Sequence, residues 1–393
     1  MLKSFKTEID PTDSQKIKIH KTIGTCRFLY NFYISHNKEF HDAGGGFMTA
    51  KAFSVWLNNE YIPNNPDKAW IKEVSSKSVK KSLENGNAAF TRFFKGKGGF
   101  PKFKKKGKSD PKMYFVKNSP TECLCERHRI KIPTLGWVRL KEKGYLPNTA
   151  GGVRIKSGTV SMKAGRYYVS VLAEIPVSPV PACTGEGIGI DLGLKNLAVV
   201  SDGRIYKNIN KSAKVRKLEK KLRREQRCFS RKYENLKKYE NLKKGEAAQK
   251  NNRKNIRKQT LKIQKLYQRL TFIRTDYINK VTAGIVKTKP SYIAVEDLNI
   301  SGMMKNRHLA KAVASQKFYE FRTKLEAKCK RNGIEFRIAS RWYPSSKRCH
   351  ACGAVKKDLK LSDRIYRCSC GYIEDRDFNA SLNLRDAKAY KTA

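Results

Sequence analysis

The stretch Gly187-Ile188-Gly189-Ile190-Asp191-Leu192-Gly193 decides how this chain is read. It predicts a strand of apolar residues and glycines with one acid, Asp191, set inside it. Working outward, Leu197 to Ser201 reads as a second strand. Asp202-Gly203 reads as a turn and Arg204 to Tyr206 as a third strand. Ser291 to Val295 predicts a further strand that ends at Glu296. A helix from Ala310 to Arg331, closed by Asn332-Gly333, precedes a strand from Ile334 to Ala339. A short helix from about Arg376 follows, with Asp375 and Asp377 at its start.

Acids in such places are costly unless something compensates them. Singly, each reads as a helix cap or an ion-pair partner. Taken together, like charges gathered in a near-apolar cleft call for a divalent cation. Oxygen ligands suit Mg²⁺, with Mn²⁺ as a substitute, and two such ions can clamp an in-line phosphodiester displacement. Three strands in succession, a helix, a strand with an acid at its end and a last helix is the RNase H-like arrangement, an α/β fold. It brings acids from distant points of the chain to one sheet edge.

The rest of the composition narrows the partners. The 393 residues carry 85 Lys and Arg against 34 Asp and Glu, a formal net charge of +51. Such a charge repels itself unless a polyanion neutralises it. Between Lys207 and Arg274 there are 25 basic residues against 5 acidic, and Tyr-Glu-Asn-Leu-Lys-Lys occurs at 233–238 and again at 239–244. This region, 207–275, predicts a long exposed helix or hairpin, and Arg223, Arg224 and Arg227 in it are candidate nucleic-acid contacts. Phe100, Lys102, Lys104 and Lys105 interleave aromatic rings with cations, a pattern for stacking on bases while meeting phosphates. No stretch approaches the ~18 apolar residues of a membrane span, and the N-terminus lacks the apolar run of a secretory signal. No membrane partner is expected.

Of the ten cysteines, Cys349, Cys352, Cys368 and Cys370 lie within 22 residues and the others are scattered. Two close pairs separated by a hairpin's length, each followed by glycine, predict one structural zinc in a ribbon over 343–374. The second pair is C-x-C, a shortened knuckle. Scattered cysteines elsewhere point to a reducing cytosol.

Ahead of all this, Lys3 to Ile9 reads as a strand closed by Asp10-Pro11. Thr12 and Gln15 form a capping-box pattern for a helix, with more helices over Thr49–Asn58 and Ser76–Phe94. Short alternating runs between Phe100 and Val180 predict a small antiparallel β-barrel. If the first strand joins it, the helical segment is an insertion. Pro176, Pro179, Pro181 and Gly185 mark a boundary.

The run Ile190-Asp191-Leu192-Gly193-Leu194-Lys195-Asn196 resembles the first RuvC motif of the TnpB family, RNA-guided nucleases encoded by transposons. Val295-Glu296-Asp297-Leu298-Asn299 resembles the second, and Asp375-Arg376-Asp377-Phe378-Asn379-Ala380 the third, arriving directly after the cysteine ribbon as it does in the family. The stretches Arg27 to Asn31 and Gly99 to Lys106 are similar to the family's N-terminal half. The resemblance implies a multidomain α+β protein. A β-barrel wedge domain (1–12 and 100–182) would carry an inserted helical recognition domain (13–99). A RuvC domain (183–342 and 375–393) would carry the inserted ribbon. It implies cleavage of double-stranded target DNA beside a short adjacent motif, by two Mg²⁺ on Asp191, Glu296 and Asp377. The family's D-x-N-A pattern selects Asp377 over Asp375. It also implies a guide RNA from the transposon end, a monomeric ribonucleoprotein, a cytoplasmic, nucleoid-associated place in a prokaryotic host, and nucleic-acid contact near Tyr30 and Asn31. Reading of the adjacent motif falls to the helix after Val74, through Lys77 and Lys81 with Ser75, Ser76 and Ser78. A DNA binder that does not cut, and a transposase acting without a guide, are the alternatives. The latter needs a helix-turn-helix unit, and no clear one is legible.

Overall fold

The computed structural model describes residues 1–176, 183, 185–241, 246–360 and 362–392, with the backbone alone described for 239–241 and 246–252. The second copy of the hexapeptide, 239–244, and the boundary residues Pro179 and Pro181 therefore lie outside the described side chains. The chain divides into two compact units, Met1–Ser178 and Pro179–Ala393, in a mixed α/β architecture. No helix of the described residues is long and apolar enough to cross a membrane.

In the first unit the strands are β1 (Leu2–Asp10), β2 (Lys112–Val116), β3 (Arg129–Ile132), β4 (Gly136–Leu140), β5 (Arg154–Lys163) and β6 (Arg166–Glu174). They form one antiparallel sheet in the order β2-β5-β6-β1-β4-β3. The first strand thus sits inside the sheet, paired with β6 from Leu2↔Glu174 to Ile9↔Tyr167. Helices α1 (Asp13–Asp42), α2 (Ala50–Trp56), α3 (Ile62–Asn64) and α4 (Ser76–Phe94) are inserted between β1 and β2. Strands β2 and β3 end the sheet order, and no ladder joins them among the described residues. The two ends of the sheet nevertheless share one core, Met113 and Phe115 of β2 with Ile130 and Ile132 of β3, and Ile19 and Ile23 of α1 pack into it. The capping box holds: Thr12 Oγ1 accepts from Gln15 N, and Gln15 Oε1 accepts from Thr12 N. Strand β5 was not legible because Lys156-Ser157-Gly158-Thr159 is polar, yet it pairs along its length with β2 and β6.

In the second unit the strands are β7 (Ile188–Leu192), β8 (Asn196–Val200), β9 (Ile205–Lys207), β10 (Tyr292–Glu296), β11 (Glu335–Ala339), β12 (Ile365–Arg367), β13 (Ile373–Asp375) and β14 (Tyr390–Thr392). Six of them form a mixed sheet in the order β14-β11-β10-β7-β8-β9, and β12 pairs with β13 in a hairpin. Strands β7, β10 and β11 run parallel, and β8, β9 and β14 are added antiparallel. The basic region forms two helices, α5 (Ala213–Asn241) and α6 (Glu246–Lys287), joined through Val215, Leu218, Leu222 and Leu270. Helix α6 runs on past the basic stretch, so that Ile278, Val281 and Ile285 enter the core of the sheet. Four more helices follow: α7 (Ile300–Lys305), α8 (Ala310–Gln316), α9 (Phe318–Arg331) and α10 (Arg376–Arg385). The single helix expected over Ala310–Arg331 is therefore two. They break at Lys317, which has a left-handed φ of 56°. Tertiary contacts hold this break: Gln316 Nε2 donates to Gly193 O at 2.9 Å, and Lys317 Nζ donates to Thr275 Oγ1 at 2.9 Å.

Candidate active site

Strands β7 and β10 are parallel neighbours in register Ile188↔Ile293 and Ile190↔Val295. The next residues along are Asp191 and Glu296, so the two acids lie side by side at the carboxyl ends of the strands. Side chains alternate between faces, so Asp191 shares its face with Gly189. Helix α10 lies on that face: a Cβ at Gly189 would stand 2.0 Å from Ser381 O and 2.4 Å from Arg385 N. The missing side chain is what lets α10 approach, and its first turn carries Asp377.

The two acids at the start of α10 stand in different places. Asp375 is the N-cap, its Oδ1 accepting from Asp377 N at 2.9 Å and Phe378 N at 3.2 Å. The Asp377 carboxylate lies 3.4 Å from Arg376 Nη2. Burial, then the charges of Asp377 and Glu296, push the Asp191 carboxyl up to about 8, against a smaller opposing effect of Arg376. Burial and Asp297 raise Glu296 as well. A buried carboxyl whose proton affinity is raised by two neighbouring acids marks a site with a deficit of positive charge, which a hard divalent cation fits. The three acids do not, however, share one tight shell. Among the described residues only the cysteines place four ligand atoms within 4.8 Å of one another. Asp297 is not available to a cation in this arrangement, being held by Arg322 at 3.0 Å and Arg341 at 2.9 Å.

The thiols of Cys349 and Cys370 lie 3.7 Å apart, and those of Cys352 and Cys368 3.6 Å. Four ligands at a Zn–S distance of about 2.3 Å stand about 3.8 Å apart, so the cluster suits tetrahedral zinc. Gly353 and Gly371 turn the two knuckles with φ of 76° and 89°. His350 is outside the cluster and faces Asp386, with Nδ1 3.6 Å from Oδ2.

The sequence reading missed how the ribbon is fastened to the acids. Asn379 is buried on α10, two residues after Asp377. Its Oδ1 accepts from His350 N at 3.1 Å and its Nδ2 donates to Arg348 O at 2.8 Å. Asn383 donates to Ser345 O at 2.8 Å and Arg348 O at 2.7 Å. One helix thus presents Asp377 to β7 and grips the first cysteine knuckle. The available signal was two asparagines four residues apart on one helix face.

The basic candidates separate into used and free cations. In the second unit, Arg223, Arg224 and Arg227 are exposed and, with Lys217 and Lys220, line a cleft on α5 with no acid among its lining residues. In the first unit, Tyr30 and Asn31 hold the segment around Lys104. Tyr30 is buried, with Lys104 Nζ 3.6 Å from its ring centre, and Asn31 bonds both Lys104 N at 2.7 Å and Lys104 O at 3.0 Å. Lys104 is accordingly half-buried, and burial lowers its ammonium. Lys102 and Lys105 are exposed, as is Phe100, which packs edge-on against Phe90 and Phe93. Lys77 is exposed, but Lys81 pairs with Glu84 at 2.9 Å, and Ser78 is buried, donating to the Tyr114 carbonyl.

A mixed sheet with acids at the carboxyl ends of its parallel strands, backed by a helix bearing a third acid and a four-cysteine ribbon, defines the class of the second unit. Three family models match the chain: "Helix-turn-helix domain" over residues 1–46, "Probable transposase" over 170–307 and "Cas12f1-like, TNB domain" over 318–384. The protein of Escherichia coli named "Putative RNA-guided DNA endonuclease InsQ" is 30% identical, covering 98% of this chain and 91% of its own. A Streptomyces pristinaespiralis protein named "Putative RNA-guided DNA endonuclease" is also 30% identical, covering 97% and 88%. The chain belongs to this family, the TnpB family of transposon-encoded proteins. Its fold is similar to that in the cryo-EM structure of a Cas12f1–sgRNA–target DNA complex, with a TM-score of 0.55 and 17% identity over 96% of this chain and 84% of that one. The first family model adds a description that the sequence reading lacked, yet residues 1–46 fold as one strand and one 30-residue helix.

Proposed function

We propose that this protein is an RNA-guided DNA endonuclease whose second unit is an RNase H-like nuclease domain. The observation that carries the reading is the placement of Asp191 and Glu296 on adjacent parallel strands, with Asp377 on the helix packed against them. The names of the relatives support the guide and the DNA substrate. Asp191, Glu296 and Asp377 would hold divalent cations, Mg²⁺ in the first instance. Bound there, such ions supply activation of water and stabilisation of the leaving oxygen of a phosphodiester. The protein's own part is to hold the three acids unpaired by lysine and to keep Arg376 beside them. Asp375 caps the helix and so fixes where Asp377 starts. Cys349, Cys352, Cys368 and Cys370 would hold one zinc. That site, closed by four thiolates, leaves no position for substrate and serves structure. The basic cleft of Arg223, Arg224 and Arg227, and the exposed Lys77, Lys102 and Lys105, would meet phosphates. The working form is a single chain with one guide RNA.

The test uses protein purified with its RNA and a target duplex matched to that RNA. Asp191→Ala and Glu296→Ala are expected to abolish cleavage, roughly a thousandfold or more, while RNA and target binding persist. Chelation is expected to reproduce the loss. Cutting at the wild-type rate by either variant would overturn the role given to these acids, and no cutting by the wild type in Mg²⁺ would leave a DNA binder that does not cut.

A further inference from the structure

Trp342 is the most exposed large hydrophobic residue in the described chain, at 87%. The other tryptophans are all engaged: Trp56 stacks on His36, Trp70 meets Phe28 edge-on, and Trp137 lies under Arg129. Trp342 has no ring or cation partner among the described residues. A lone exposed side chain often means nothing. This one is held out by contacts on both sides. Arg341 donates to Asp297 Oδ2 at 2.9 Å and to Asp297 O at 3.3 Å. Tyr343 donates its hydroxyl to Asn383 O at 3.0 Å and packs with Ala339 and Leu384. Trp342 N itself donates to Ser340 Oγ at 3.3 Å. The segment is pinned on both sides and the indole stands in solvent.

Its place matters as much as its exposure. Ala339, the last residue of β11, pairs with Glu296. Trp342 follows three residues later, no more than about 11 Å of chain away. The neighbours that pin it are Asp297, next to Glu296, and Asn383, on the helix of Asp377. From this juxtaposition we infer that Trp342 is a base-stacking platform beside the three acids, taking an unpaired nucleobase of the strand that enters the site. An aromatic face accepts any base, so the contact positions the strand without reading sequence. The chemistry is that of single-stranded nucleic acid, because a paired base has no free face to offer. The inference rests on the reading that DNA enters the carboxylate site.

The experiment is a cycle between protein and substrate. The guide-loaded full chain is given target duplexes that carry one abasic site, moved stepwise along the cut strand. Trp342→Ala is expected to slow cleavage by about 5- to 150-fold, the range for loss of one stacked base. Trp342→Phe should restore most of it. In wild type, one abasic position should cost a similar factor, and at that position Trp342→Ala should add little further loss. Losses that multiply at every position, or an alanine variant as fast as wild type, overturn the inference. A second readout separates it from the nuclease reading. With 2-aminopurine at the sensitive position and the divalent ions chelated, wild type should quench the probe and Trp342→Ala should not. Quenching without any cleavage in Mg²⁺ leaves the platform standing and removes the nuclease. Cleavage with no Trp342-dependent quenching does the reverse.

Discussion

Four thiols of the second unit lie within 4.8 Å of one another, whereas its three carboxylates share no such shell. Both groups are suited to metal, and the difference lies in how each is built. The cysteines stand on two tight turns and a short hairpin. The acids come from β7, β10 and α10, elements far apart in the chain, and Asp377 and Glu296 raise the proton affinity of Asp191. Local geometry therefore assembles the ribbon, while packing between distant elements brings the acids near one another. Metal should matter to the fold at the first site and to chemistry at the second.

The strongest way to break this contrast is to remove one charge while keeping its shape. Asp191→Asn is expected to abolish cleavage. In chelator it is expected to raise Tm, because the amide avoids the cost of keeping a carboxyl, charged or protonated, in a place that raises its proton affinity, an effect of roughly 1–3 kcal/mol. An unchanged or lower Tm by thermal denaturation would mean that the place does not disfavour a carboxyl as argued.

Gly189→Ala attacks the assembly without touching an acid. Its Cβ would meet the backbone of α10, so the helix must shift. Destabilisation of about 1–3 kcal/mol, in denaturant titration, is expected together with a large loss of cleavage. Wild-type activity in a stable Gly189→Ala protein would show that the position of α10 does not matter.

The ribbon and the acids can also be uncoupled. Cys368→Ser should release zinc, seen by metal analysis, and loosen the C-terminal part of the unit. Asn379→Ala should keep the zinc and still lose about tenfold to a hundredfold in cleavage, because the knuckle no longer steadies the helix that carries Asp377. If zinc leaves with Asn379→Ala, the amide serves the metal site alone.

The smallest effect lies in an acid that has found its cations. Burial pushes the Glu320 carboxyl up, but hydrogen bonds from Lys317, Lys324 and Thr275 outweigh it and hold it down to about 2. A carboxyl held low stabilises the fold above its unfolded value near 4.5, and the contribution fades as pH falls toward 2. Glu320→Gln should cost about 1–2 kcal/mol at neutral pH after screening, and the gap from wild type should narrow below about pH 4.5 and close at about pH 2 in urea titrations. A gap that stays constant with pH would assign the loss to packing.

Much of this was legible in one dimension. The capping box of Thr12 and Gln15, the strand at 188–192 and the cysteine spacing depend on residues close in the chain, where turn preference, strand alternation and hydrogen-bond period act directly. The net charge of +51 likewise called for a polyanion without any fold. The failures share a different cause. Strand β5 exists because β2 and β6 supply partners for a polar segment, and Lys317 breaks a helical run because Thr275 and Glu320 claim its ammonium. That Tyr30 and Asn31 hold Lys104, far along the chain, could not be read from their own stretch. The choice between Asp375 and Asp377, the grip of Asn379 on a cysteine knuckle and the outward indole of Trp342 likewise depend on neighbours that become close only when the sheet, the last helix and the ribbon are packed together. Sequence carries local preference; which polar groups are spent on one another, and which are left for a ligand, is set by contacts between elements far apart in the chain.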